Sequence, residues 1–293
     1  MVKKVSRLAR VSKAHAWAGE TVYFGTRHGK ARLLLGPLRA LGIRCLTARI
    51  DTDAFGTFSG SVPRTASIRE TLQAKIQQVF KEFPQARFAL ASEGSFGPHP
   101  RYGIPSDHEA LLWKERNSPH EIFVDHLSTE VHHFEIKVNP GEDPKAALQK
   151  TRFPSHALCI RREGDPLPFQ SAIRSRHRLE EALRNIARMP DPPRALLISA
   201  DLRAHLNPTR MEVIREAGKK LAERISSLCP ACDQPGFWPE KPGEGTPCPD
   251  CGTPSPIPSG HHWGCLRCAY SEYRPDPEAI GKTHPGICIN CNP

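Results

Sequence analysis

The stretch SIRETLQAKIQQVFKEFPQARFALASEGS, residues 67–95, decides the fold class. Within it Ile68, Leu72, Ile76, Val79 and Phe83 step by four, four, three and four, which predicts an amphipathic helix over Ser67–Phe83. The FALAS run at Phe88–Ser92 predicts a buried strand that ends in a polar, glycine-rich turn. Upstream, Thr21–Thr26 reads as a strand, Lys30–Leu41 as a helix interrupted near Pro37, and Arg44–Ile50 as a second strand. Downstream come three adjacent strands, Glu109–Lys114, Glu121–His126 and His133–Val138. Then follow a short helix at Asp143–Lys150, a strand at Ala157–Arg161, a helix at Ser171–Arg188, a strand at Arg194–Ser199 and a closing helix at Pro208–Ser227. Strands alternating with helices around a run of adjacent strands predict an α/β domain with a mixed sheet over residues 17–228.

After Leu228 the composition changes. Residues 229–293 hold 13 Pro and 8 Gly in 65 positions, too little apolar material to offset the entropy of ordering the chain. Eight of the ten cysteines lie here as four C-x-x-C pairs: Cys229/Cys232, Cys248/Cys251, Cys265/Cys268 and Cys288/Cys291. Four thiolates suit one tetrahedral structural zinc, so the segment is expected to be an irregular double zinc-ribbon module holding two ions. Spacing leaves the pairing open between two tandem ribbons and a nested arrangement.

The chain has 293 residues, 38% hydrophobic and 25% charged, with a mean hydropathy of −0.47. No apolar run approaches the roughly 18–20 residues of a membrane span, and the basic start lacks the apolar core of a secretory signal, so a cytoplasmic location with no membrane partner is expected. The net charge of +10 divides unevenly. Residues 1–16 carry +5 and form a basic arm, residues 17–228 carry +8, and the cysteine segment carries −3. A mildly acidic zinc segment argues against its meeting phosphates, and nucleic acid is not the favoured partner.

Polar density gathers in four segments: Thr26–Lys30, Asp51–Gly60, Ser92–Pro100 and Asp201–Arg210. Loops at the carboxyl ends of strands form the usual ligand crevice of α/β sheets. Asp51, Asp53, Glu70 and Glu93 supply acids there, and Lys30, Lys75, Arg203 and Arg210 supply cations, a mixture suited to an anionic ligand bridged by a divalent metal. No Walker loop, dinucleotide fingerprint, nucleophile elbow or HExxH zinc motif is present, which removes support for those classes.

Three resemblances add to this reading. The run Cys248–Ile280 resembles the zinc ribbon of NADH-pyrophosphatase-type Nudix enzymes; that implies nested pairing, with Cys248, Cys251, Cys265 and Cys268 on one ion and Cys229, Cys232, Cys288 and Cys291 on the other. It implies no Nudix activity, because the chain has no Nudix box. From about Thr21 the chain resembles an uncharacterised bacterial family, through ASEGSFGPHP at Ala91–Pro100, D-x-RA-x-x-NPTRM at Asp201–Met211 and the final CNP. Residues 22–97 are similar in order to the inosine-triphosphate/Maf type of nucleoside triphosphate pyrophosphatases, through Thr26-x-His28-x-Lys30, Glu70-x-x-x-x-Lys75 and Ser92-Glu93-Gly94. That similarity implies phosphate binding by Lys30 and Lys75, with Glu70 and Glu93 holding metal or activating water; His28 replaces an Asn and Ser92 an Asp of the family pattern. The combined expectation is a hydrolase of a nucleotide or other phosphate ester. Glu93, Glu70 and Asp53 would surround Mg2+, while Lys30, Lys75, Arg203, Arg210 and His28 bind the ligand. The alternative is a non-catalytic binding protein for an anionic ligand, a protein partner or nucleic acid.

Overall fold

The structure is a computed structural model that describes residues 15–26, 30–52, 55, 66–139, 141–149, 151–165 and 167–293. The expected site residues His28 and Asp53, and positions 1–14 of the basic arm, lie outside the described residues. The described chain divides into two compact units. One comprises Thr21–Arg39 and Arg44–Arg224; the other comprises residues 15–20, Ala40–Ile43 and Ile225–Pro293.

The larger unit is mixed α/β. Its first sheet has the order β2-β1-β3-β4-β5, with β1 Thr21–Gly25, β2 Arg44–Ala48, β3 Phe88–Pro98, β4 Pro105–Glu115 and β5 Glu121–Ser128. β1 runs parallel to both β2 and β3, while β3/β4 and β4/β5 are antiparallel hairpin pairs. Helix α1, Ala31–Ala40, connects β1 to β2, and α2, Ile68–Glu82, connects β2 to β3. The apolar stripe of α2 packs Leu72, Ile76, Val79 and Phe80 against Ala89, Ala91, Ala110 and Leu112 of the sheet. Ser67 caps this helix in a capping box: its hydroxyl accepts from the Glu70 amide, and the Glu70 carboxylate accepts from the Ser67 amide.

Four expectations are corrected. Helix α1 continues through Pro37 instead of breaking there. Its Leu33, Leu34 and Leu38 are buried, and Leu34 fills the space a side chain at Gly218 would take, so tertiary packing outweighs the proline. Strand β3 does not turn at Ser92 but runs to Pro98, because β4 pairs with it along its whole length. His133–Val138 does not extend the central run. Instead β6, Glu135–Val138, belongs to a second, antiparallel sheet of order β6-β9-β7-β8, with β7 Leu158–Arg162, β8 Pro168–Ile173 and β9 Leu196–Ala200. The segment expected to be helical from Ser171 opens as β8; helix α4, Arg176–Ala187, starts only after Ser175, whose hydroxyl accepts from the Arg178 amide.

The short helix α3, Lys145–Leu148, and α4 contribute Leu148, Leu179, Ala182 and Ile186 to the core over the second sheet. Helix α5, Pro208–Ser226, closes the unit. Asn207 opens it by accepting from the Arg210 amide at 3.1 Å, and Pro208 takes the first helical position.

The cysteine-bearing part of the smaller unit has a small cluster of Phe237, Cys229 and Cys265, with Trp263 and Tyr270 packed against it. Its strands are short: β10 Trp238–Pro242, β11 Gly245–Pro247, β12 Pro254–Pro258, β13 Gly260–Gly264 and β14 Ser271–Pro275. They form a three-stranded sheet β10-β13-β14 and a hairpin β11-β12. Among the described residues, no helix is long and apolar enough to cross a membrane.

Candidate functional site

The decisive local feature is that β3 outlasts β1. Their parallel ladder ends at Gly25↔Ala91, while β3 continues for seven residues beside β4. The carbonyl of Ser92, just past the end of that ladder, accepts from Lys75 Nζ at 3.2 Å. Lys75 lies in the apolar stripe of α2 and is buried, and its ammonium also pairs directly with Glu93. Lys30, at the entrance to α1, reaches the same place from β1, with its Nζ 3.4 Å from Ser92 Oγ and 3.8 Å from Glu109 Oε2.

Two acids that the sequence reading passed over meet Lys30 on the face of the sheet opposite Glu93. Asp107 and Glu109 alternate with His108 on β4, so they share one face of the strand. Gly94 stands opposite Glu109 in the ladder, and a Cβ there would come within 2.5 Å of the Glu109 carboxyl carbon and of Arg210 Nη2. The glycine is what lets the Arg210–Glu109 pair cross β3. Arg210, in the first turn of α5 and 1% exposed, donates from Nε to Glu109 Oε1 at 2.5 Å and from Nη1 to the Leu202 carbonyl at 2.6 Å. His108, on the opposite face, pairs with Asp125 at 2.9 Å.

The electrostatics follow from this crowding. Burial, reinforced by the positive charges of Arg210 and Lys75, lowers the Lys30 pKa to about 8 against the pull of Glu109. Burial first, and then the negative charge of Glu109, pushes Asp107 up to about 7 even though Arg210 and Lys30 oppose the shift. Asp107 is 1% exposed, and neither of its carboxylate oxygens accepts a hydrogen bond among the described residues; the same holds for Glu109 Oε2. Perturbed titratable groups gathered at the carboxyl ends of parallel strands are the physical mark of a candidate site. Cations suit phosphate oxygens, and open carboxylate oxygens suit a hard metal ion.

Of the residues expected from sequence, Lys30 and Arg210 therefore meet at Glu109 on one face of the sheet, while Lys75 pairs with Glu93 on the other face, within electrostatic range of Lys30. Glu70 does not join them by its carboxylate, which is exposed and occupied at the amide of Ser67. The Arg203 guanidinium lies fork on fork against Asp201, at 3.0 and 2.6 Å. Asp201 also accepts from the amide of Ala172, a non-glycine residue at φ 58°, so the D-x-R motif braces a corner of the second sheet. The missed pair was legible as acids two apart, Asp107-x-Glu109, heading a strand that is otherwise apolar through ALLW.

The cysteines form two groups, each able to hold a metal ion: Cys229, Cys232, Cys265 and Cys268, and Cys248, Cys251, Cys288 and Cys291. The pairing is interleaved, which overturns both the nested arrangement and the tandem one. Strand register explains it. β10 runs antiparallel to β13 with Trp238 opposite Gly264, which sets the end of the first knuckle beside the start of the third. Sulfur–sulfur separations of 3.6–3.9 Å match the edge, about 3.8 Å, of a tetrahedron with metal–sulfur bonds of about 2.3 Å. In three knuckles the residue after the second cysteine is left-handed: Asp233, Gly252 and Ala269, at φ 58°, 73° and 57°. In these same knuckles the first cysteine's amide donates to the residue five positions on: Gln234, Thr253 and Tyr270.

No curated protein matches the chain. The family model described as a domain of unknown function (DUF6671) matches residues 78–293, a span that holds Glu93, Asp107, Glu109, Arg210 and all eight paired cysteines. The protein is thus a member of the DUF6671 family, an α/β protein with two four-cysteine groups able to bind metal.

Proposed function

We propose that the larger unit binds a phosphate-bearing ligand of the nucleotide class with a divalent cation and hydrolyses it. The observation that carries the reading is the pair of charged groups where β3 runs past the end of β1: Arg210, Glu109 and Asp107 on one face of the sheet, Lys75 and Glu93 on the other, with Lys30 within electrostatic range of both. The similarity in order to inosine-triphosphate/Maf-type pyrophosphatases supports it: Lys30 opens the first helix, Lys75 lies on the second, and Glu93 lies within the strand after it, past the end of that strand's pairing with β1. In such a reaction a water oxygen bonds to phosphorus as a P–O bond breaks, and the leaving oxygen takes a proton. Lys30 and Lys75 would hold phosphate oxygens, and the carboxylates would hold Mg2+ and orient water. The smaller unit, with four thiolates closing each coordination sphere, suits structural Zn2+ that substitutes for a hydrophobic core.

A second reading rests on the direct pairs Lys75–Glu93 and Arg210–Glu109, which already compensate each other and favour a non-catalytic binder of an anionic ligand. One experiment separates the two. Purified protein is incubated with a nucleoside mono-, di- and triphosphate panel and MgCl2, and phosphate or pyrophosphate release is followed beside a thermal-shift screen. Turnover that falls at least 100-fold in Lys75→Ala and Glu93→Gln supports hydrolysis. Stabilisation without release supports the binder. Activity unchanged in both variants refutes the site.

A further inference from the structure

We propose that Asp107 and Glu109 form the seat of a hard divalent cation on β4, a site that does not involve Glu70, whose carboxylate closes a helix cap. The two carboxylates sit two residues apart on one face of a strand, about 7 Å between Cα atoms by strand geometry. That spacing lets an Asp and a Glu side chain converge on one ion at the 2.0–2.6 Å typical of Mg2+, Mn2+ or Ca2+ to oxygen. Arg210 takes only Glu109 Oε1, which fixes the carboxylate and leaves Oε2 toward Lys30 at 3.8 Å. Asp107, 1% exposed, has both oxygens without a hydrogen bond among the described residues. Its register partners are Phe96 on β3 and Ser128 on β5, neither of which carries a charge.

A buried carboxylate in that position must keep its proton or gain a cation, since desolvation of the bare charge is costly. Arg210 and Lys30 face it from α5 and from the entrance to α1 and attract its charge, but their ion pairs go to Glu109 and neither donates a hydrogen bond to Asp107. His108, adjacent in sequence, is turned to Asp125. The ion would take Asp107 and Glu109 Oε2 as protein ligands and fill its shell with water. Under the phosphate-ligand reading, on which its part in turnover rests, phosphate oxygens held by Lys30 would replace some of that water.

The probe is Mn2+ with the full-length chain, its cysteine sites loaded with zinc. Free Mn2+ is read at pH 8 from its aqueous electron paramagnetic resonance signal. The expected result is one Mn2+ per chain, with affinity weakened at least tenfold by Asp107→Asn and by Glu109→Gln. Asp107→Ala, whose fold is checked by circular dichroism, repeats the first test without an amide in the site. Uptake by the wild-type chain that persists in Asp107→Asn and Asp107→Ala overturns the assignment, as does failure of the wild type to bind Mn2+ at millimolar concentration. One Mn2+ taken up and lost in these variants, without hydrolysis of any phosphate ester, upholds the cation seat and removes only the hydrolase.

Discussion

Replacing Asp107 by Asn tests the electrostatics of the cluster without reference to any ligand. The folded protein raises this carboxyl from 3.8 to about 7, chiefly by burial. A raised pKa means that the native state binds the proton more tightly than the unfolded chain. The associated stability is therefore full below 3.8 and is lost as pH climbs to about 7. At about 1.4 kcal/mol per pH unit, the loss between pH 5.5 and 7.5 comes to roughly 2 kcal/mol. An asparagine has no such titration. The stability difference between Asp107→Asn and wild type should thus shift by about 2 kcal/mol in favour of the variant across that interval. Urea unfolding at pH 5.5, 6.5 and 7.5, with zinc present and no Mg2+ or Mn2+, measures it. The upper limit stays below the midpoint of Lys30 near 8, which keeps the contribution of that group small. A difference that stays constant with pH would refute the claim that Asp107 is buried and unpartnered in the native state.

Three other substitutions or titrations check separate parts of the structure. Gly94→Ala drives a methyl group into the Arg210–Glu109 pair and should destabilise the fold by about 1–3 kcal/mol in urea unfolding; wild-type stability would mean that the pair does not cross β3 there. The Lys30 amine should show a reductive-methylation midpoint near pH 8, followed by mass spectrometry, whereas a midpoint near the ordinary 10.5 would contradict its burial. Interleaved pairing predicts that Cys251→Ser/Cys288→Ser loses one zinc and Cys251→Ser/Cys268→Ser loses both, by colorimetric zinc determination; nested pairing would reverse these outcomes, and tandem pairing would strip both ions in each.

The parts of the fold that were legible in the sequence are those fixed by local pattern. The stripe Ile68–Phe83, the cap at Asn207-Pro208 and the C-x-x-C turns each carry their information within a few residues. What failed to show locally depended on partners far along the chain. Pro37 stays helical because α1 is packed on both sides of it, and EGSFG stays extended because DHEAL lies opposite it. The interleaved cysteines follow from the register of Trp238 with Gly264, which spacing does not encode. In the site, Lys75 stood out by its spacing from Glu70 in the resemblance to the pyrophosphatases. Asp107 and Glu109 did not, because the alternation that aims them inward also reads as an ordinary half-exposed strand.

A common physical rule ranks the candidate groups. A polar side chain that the fold buries is either satisfied by the chain or held ready for something else. Lys75 and Glu93 satisfy each other, Arg203 is held by Asp201, and Glu70 closes a helix cap, so each has a structural role before any ligand is invoked. The eight cysteines stand at the other extreme: their sulfurs converge at tetrahedral separations, in two groups each able to hold a metal ion. Asp107 belongs with the cysteines. Its oxygens are buried beside a second carboxylate and receive no hydrogen bond among the described residues, while Lys30 and Arg210 form their ion pairs with that neighbour. A chain selected only for stability would gain by losing such a group, and its retention beside Lys30 and Arg210 is the physical support for the cation seat proposed on β4.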